Sequence, residues 1–259
     1  MSASETNYTA HVRIPHLIER GRTQLIQCPT FLDGAASAPS SGTVSVYRPT
    51  EGPDDTPVID AQAVTITSSV AEYSVTFGSS ANQIPTTEAL GAGWRVEWAL
   101  TMADGIVHTF RFDGALVRRR LYPVVTDQDM ERAHPGIDAL LPSGQTHWQN
   151  QVDEAWWDIQ RRLIAAGNRP NLVMEPTALY DAHLSRSLYR VFRLLKTRMT
   201  VDSQYAALAE EYSADYESAW DALRFRYDAD DLGRIDESQP KRGAQPQVWL
   251  GKLRRGGSW

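Results

Sequence analysis

His134, followed by Pro135, and His183 are the side chains best suited to general acid–base work, because an imidazole titrates near neutral pH. His183 lies beside the apolar stripe of a helical segment, which reads as a packed histidine. Asp127 and Asp129 invite a metal pair, but both fall in the first turn of a short helix, where carboxylates are favoured anyway. The six histidines include no HExxH and no close pair. The single cysteine, Cys28, excludes an internal disulfide and any multi-cysteine zinc site. Gly91-Ala92-Gly93 precedes a strand rather than a helix, so it reads as a turn. No nucleophile elbow, phosphate-binding loop or dinucleotide fingerprint is present. The expectation is a non-enzyme with no cofactor and no metal.

Binding chemistry is better represented. The formal net charge is -6, yet the stretch from Gln239 to Trp259 holds five basic residues and no acid. The remainder of the chain therefore carries 21 basic against 32 acidic side chains. Such asymmetry suits a tail that meets an acidic surface or a nucleic acid. The basic residues are Lys241, Arg242, Lys252, Arg254 and Arg255, interleaved with Trp249, Leu250 and Trp259. Two prolines and four glycines oppose helix in this stretch. Arginine outnumbers lysine by 23 to 3. Planar guanidinium groups suit interfaces, although genome base composition gives the same bias.

These residues require elements to carry them. From about Tyr8 to Leu121 the chain reads as short strands: HVRI, QLIQC, TVSVYR, AVTIT and YSVTF, set between the turn clusters DGAASAPSSG and TEGPDDTP. The strongest signal is WRVEWALTMADGIVHTFRF. Trp94, Val96 and Trp98 share one face, Asp104-Gly105 makes the turn, and His108, Phe110 and Phe112 alternate on the return. The pattern predicts an antiparallel β-sandwich or barrel over residues 1–120.

After Arg118-Arg119-Arg120 the period changes. Thr126 is a candidate N-cap of a short helix, and Thr146 with Gln149 fits a capping box for the next. Trp148, Val152, Ala155, Trp156, Ile159 and Leu163 fall on one face of that second helix, and Gly167 stops it. Pro176 opens a third helix, with Tyr180, Leu184, Leu188, Val191, Leu195 and Met199 as its buried stripe. Asp202 caps a fourth, in which tyrosines recur at helical spacing. The expectation is an α-helical bundle over residues 121–234 and an extended basic arm over 235–259, giving an α+β chain. No apolar run reaches membrane-spanning length, and MSASETNYTAHVR lacks the apolar core of a signal peptide. Synthesis in the cytosol is expected.

Several surface features keep two readings. Trp157 points about 100° away from Trp156, either toward a wider core contact or into a subunit interface. Arg186, Arg190 and Arg193 form a second stripe on the third helix. That stripe is a solvated face, a match for the acidic fourth helix of a neighbouring copy, or the lining of a DNA path. Arg118–Arg120 is an exposed strand end or a site for phosphate or carboxylates.

LYPVVTDQDM, then DEAWWDIQRRLIAAGNRPNLV, EPTALYDAHLSRSLYRVFRLL and YAALAEEYSADYESAWDAL together resemble the head–tail connector proteins of long-tailed bacteriophages and gene transfer agents, also called adaptor or head-completion proteins. The resemblance runs from Leu121 to Tyr227 and includes the arm; the strand-rich half lies outside the mainly helical family pattern. It implies a virion protein made in the host cytoplasm and assembled as a ring, usually of twelve copies, at the head–tail interface. Such a ring binds the portal, extends the DNA channel, contacts the DNA transiently and offers a surface to the tail or tail-terminator protein. The arm would bind the portal through Trp249, Leu250, Lys241, Arg242, Lys252, Arg254, Arg255 and Trp259. Two other functions remain open: a β-sandwich surface- or receptor-binding module on a helical mount, and a nucleic-acid-binding protein using the basic tail.

Overall fold

The computed structural model describes residues 7–49, 56–198 and 203–228, together with the backbone pairing of 242–243. The chain is mixed α+β, with two five-stranded sheets, four α-helices and one two-stranded pairing among the described residues. It divides into two compact units that meet in the chain at Leu121 and Tyr122.

The first unit holds β1 (Tyr8–Ala10), β2 (His16–Glu19), β3 (Gln24–Leu32), β4 (Ala35–Ala36), β5 (Ser41–Tyr47), β6 (Pro57–Ala63), β7 (Thr65–Thr67), β8 (Val70–Val75), β9 (Gly91–Thr101) and β10 (Val107–Val117). One sheet runs β1-β3-β8-β7, with β4 also on β3; the other runs β2-β10-β9-β5-β6. The β9–β10 hairpin forms where the alternation predicts it. Gly105 takes a φ of +77° in its turn, and Asp104 accepts the Ile106 N–H at 2.9 Å and meets His108 Nε2 at 2.9 Å. Trp94, Val96 and Trp98 all face inward and share one core cluster with Val44, Ile26 and Val75. That cluster therefore draws on strands of both sheets.

Three expectations are corrected here. HVRI is not a strand, because the chain leaves one sheet after β1 and joins the other at β2. Pro15, with no N–H to donate, sits at that passage. AVTIT is split at Val64, since β6 belongs to one sheet and β7 to the other. The unit is also not wholly antiparallel: β2 pairs with β10 in parallel, His16 opposite Gly114.

The second unit holds α1 (Asp127–Ala133), α2 (Gln149–Ala165), α3 (Tyr180–Arg198), α4 (Ser203–Ala222), β11 (Arg224–Phe225) and β12 (Arg242–Gly243). Thr126 caps α1 as expected, its N–H and hydroxyl both donating to Asp129 Oδ2 at 2.8 and 2.7 Å. The expected capping box of α2 does not set its start. Trp148 is the N-cap, and its N–H donates to Asp127 Oδ1 at 2.9 Å. Its indole N–H reaches the Ile137 carbonyl at 3.2 Å. A tertiary anchor therefore fixes where this helix begins. Gly167, at φ +78°, ends α2, with its own N–H on Ile164 O and the next N–H on Leu163 O, both at 2.9 Å. Pro176 opens a 3-10 turn that runs straight into α3.

The inward stripe of α2 is buried throughout, and Leu188, Val191 and Leu195 of α3 are buried against it or its neighbours. Phe192 stacks on Tyr212 of α4 at 5.5 Å. Beyond α4, Met174 donates its N–H to Arg226 O and Asp228 donates to Leu172 O, so the chain after the hairpin is pinned beside the segment before α3. Met199 and Asp202 lie outside the described residues.

Candidate interaction surface

Helices α2, α3 and α4 bring together the charged residues that their sequences separate. Asp158, on α2, is the centre. Its Oδ2 accepts from Arg186 Nε at 2.8 Å and from Arg190 Nε and Nη2 at 3.0 and 2.7 Å. Arg161, one turn along α2, bonds the other oxygen. Glu154 adds a looser contact with Arg190 at 3.6 Å. Burial pushes the Asp158 carboxyl up, but the hydrogen bonds and charges of Arg190 and Arg186 outweigh it and hold the group below its ordinary range. The carboxylate is charged at neutral pH and fixes two guanidinium planes of α3 against α2.

A second lock crosses from α2 to α4. Arg162 grips Glu217 with two hydrogen bonds of 2.9 and 2.7 Å. Its guanidinium also lies over the Trp220 ring at 4.5 Å and the Tyr216 ring at 5.1 Å. Arg186 approaches the same Tyr216 ring at 5.1 Å and Tyr189 at 4.7 Å. Tyr216 is thus within cation–π reach of one arginine from each of the other two helices. Because Tyr216 and Trp220 are buried, these rings serve packing and present no stacking platform to a ligand.

Arg186 and Arg190 therefore have intrachain partners, and those partners lie on α2 rather than on the acidic face of α4. The third member of the stripe, Arg193, is exposed. Trp157 is half-buried beside the fully packed Trp156. Lys241, Trp249, Leu250, Lys252, Arg254, Arg255 and Trp259 lie outside the described residues. Arg242 appears only through the backbone of β12, opposite Phe225. Asp158, Arg161 and Arg162 were not singled out by sequence, and Glu217 was read only as one of the carboxylates on the acidic fourth helix. The one available signal was the arginine stripe itself, which needs a carboxylate when it is half-buried.

The residues first considered for chemistry have structural duties. His183 is buried, donates its Nε2–H to the Val152 carbonyl at 3.0 Å, and packs on Trp156 at 4.9 Å. Burial holds it neutral, with its pKa down to about 4. His134 meets the Tyr212 hydroxyl at 3.2 Å. Asp127 and Asp129 bond backbone and cap groups rather than facing a common point. Burial pushes the Cys28 thiol up to about 12, which leaves it un-ionised. Among the described residues, no cluster of three or more His, Cys, Asp or Glu could hold a metal, and no helix is long and apolar enough to cross a membrane. Arg118 and Arg119 are exposed, while the Arg120 N–H donates to Glu19 Oε2 at 3.3 Å.

No protein-family model matches this chain, and no curated protein matches it.

Proposed function

We propose that this chain is a virion structural protein of the head–tail connector kind, which assembles as a ring between the portal and the tail and continues the DNA channel. In this reading the first unit is a β-sandwich, the second a helical bundle, and the residues from 235 onward an arm that docks on the portal. The observation that carries the proposal is the helix series of the second unit. A short α1 follows LYPVVTDQDM, and its Asp127 is tied to the start of α2. A long α3–α4 hairpin comes next, and a basic tryptophan-bearing segment follows it. The order and lengths are those that the connector resemblance implies.

A DNA-lining role for Arg186 and Arg190 is weakened by their engagement with Asp158, since a phosphate would have to compete with a carboxylate already bonded to both. The arm is the better contact. Trp249 and Leu250 would fill a pocket on the portal, and the five basic side chains would steer the arm toward acidic groups. Deleting Gln239–Trp259 tests this. The truncated protein should keep its body folded but fail to attach to portal-bearing heads, and Trp249→Ala should cause most of that loss. Normal head completion by the truncated protein would overturn the arm. Failure of a charge-neutralised arm with a harmless Trp249→Ala would favour phosphate contact instead.

A further inference from the structure

The intrachain pairings leave an unequal division of charge on the α3–α4 hairpin. On α3, Arg193 and Lys196 are exposed and make no ion pair among the described residues. On α4, Glu210, Glu211 and Asp215 are exposed, and they too are without an ion pair among the described residues. Ala207, Ala214 and Ser218 lie between and beside those acids on the exposed side of α4. Small side chains there let a neighbouring helix come close. Helix α3 therefore offers two exposed cations, and α4 offers three exposed carboxylates among small side chains.

We propose that this hairpin carries a heterologous contact between copies, in which Arg193 and Lys196 of one copy meet Glu210, Glu211 and Asp215 of the next. The occupant is a second copy of this chain because each face supplies the charge that the other lacks. Two different faces of one molecule that recognise each other make a head-to-tail contact, and such a contact closes into a ring when its rotation allows. A contact of each face with itself would oppose like charges. The proposal rests on the self-assembly in the reading above, and it locates the contact on residues outside the Asp158 network. Exposed pairs are individually weak and screened by salt, so the contact is salt-sensitive and gains strength only by repetition.

Lysine is scarce in this chain, with only Lys196, Lys241 and Lys252, so a zero-length carbodiimide linking ammonium to carboxylate gives few products. Isotope-labelled and unlabelled full-length chains are mixed at about 50 mM salt and cross-linked, then compared with about 500 mM. The expected product is a mixed-isotope peptide pair joining Lys196 to the segment holding Glu210, Glu211 or Asp215, lost at high salt. R193E/K196E and E210K/E211K/D215K should each weaken association about tenfold, as a few exposed pairs together would. Mixing the two variants in equal amounts should restore association, because alternating copies again oppose unlike charges. Cross-links confined to single chains, or association indifferent to both variants and to salt, would overturn the contact. The arm-deletion test reads attachment to heads independently, so the proposed ring can survive that result by assembling on the portal alone. Loss of head completion by both surface variants, without restoration by the mixture, would also count against charge complementarity.

Discussion

The two units differ in how they satisfy their fully buried tryptophans. In the β unit, Trp94 and Trp98 bury their indole N–H groups, and His16 buries Nε2, with no hydrogen-bond partner among the described residues. In the helical unit, Trp148 gives its indole N–H to Ile137 O, His183 bonds Val152 O through one ring nitrogen, and Asp158 holds two arginines of another helix, while His183 Nδ1, Gln145 Oε1 and Gln151 Oε1 are buried without a partner among the described residues. The difference follows from how each unit fixes its elements. Strands are positioned by backbone ladders, so the side chains of the β core need only fill space. Helices satisfy their backbones internally, and their mutual placement rests on side chains. Specific polar anchors between helices then settle which packing is adopted.

If the β core is held by filling space, removing bulk there should have the largest effect. Trp98→Ala is expected to destabilise the first unit by about 3–5 kcal/mol, the range for deleting a buried aromatic side chain. Hydrogen exchange on the full chain would place the loss in residues 7–121 and leave α2 to α4 protected. Equal loosening of the helices would break the division between the units.

Acid should act on both units, through one histidine each. Burial, with a smaller effect from the Arg120 charge, lowers the His16 pKa to about 4; burial likewise lowers His183 to about 4, against opposing effects from the Val152 carbonyl and Asp153. An unfolded histidine titrates near 6.5, so between about 6.5 and 4 the unfolded state binds more protons than the folded state. Stability is therefore full above about pH 6.5 and falls as the pH drops toward 4, by about 3 kcal/mol per histidine. His183→Phe should flatten this slope in the helical unit alone, read by exchange at several pH values. An unchanged slope there would assign the acid sensitivity to other groups.

Asp158 should matter less than a wholly buried ion. Arg186 and Arg190 keep 23% and 26% of their side-chain surface exposed, so water can take over part of the lost bonding. Asp158→Asn is expected to cost about 2 kcal/mol, below the range for breaking a fully buried pair. Denaturant unfolding measures it, and Arg162→Ala, which breaks the more exposed lock on Glu217, should cost less.

The sequence made these features legible to different degrees. The β9–β10 hairpin, the Thr126 cap and the α2 stripe were readable because local periodicity and turn chemistry determine them. HVRI and AVTIT were misread because both look like strands but fall where the chain changes sheets, and a change of sheet leaves no local period. The start of α2 was set by Asp127, 21 residues away, over the nearer Thr146. The site was half legible: the arginine stripe shows on α3, whereas its partner Asp158 lies 28 and 32 residues from Arg186 and Arg190. No motif spacing records such a meeting. The arm's proposed contacts lie outside the described residues.

The smallest expected effect gives the closest comparison between the units. Trp98→Phe and Trp148→Phe each remove the same atoms from a side chain with no exposed surface. The loss of volume should therefore cost both units a similar amount. Trp98 gives up an N–H that had no partner, which removes a desolvation cost and recovers part of the loss. Trp148 gives up a bond to Ile137 O and leaves that buried carbonyl without it. Loss of a buried hydrogen bond costs about 1 kcal/mol, so Trp148→Phe should be the worse change by about that amount. Melting of each variant in the full chain, with exchange to assign the unit, measures the gap. A gap near zero would mean that the indole bond in the helical unit is as dispensable as the unpaired indole in the β unit. The two units would then share one packing logic for their tryptophans, and the Asp158 network, the Arg162–Glu217 lock and the His183–Val152 bond would be the polar anchors left to distinguish them.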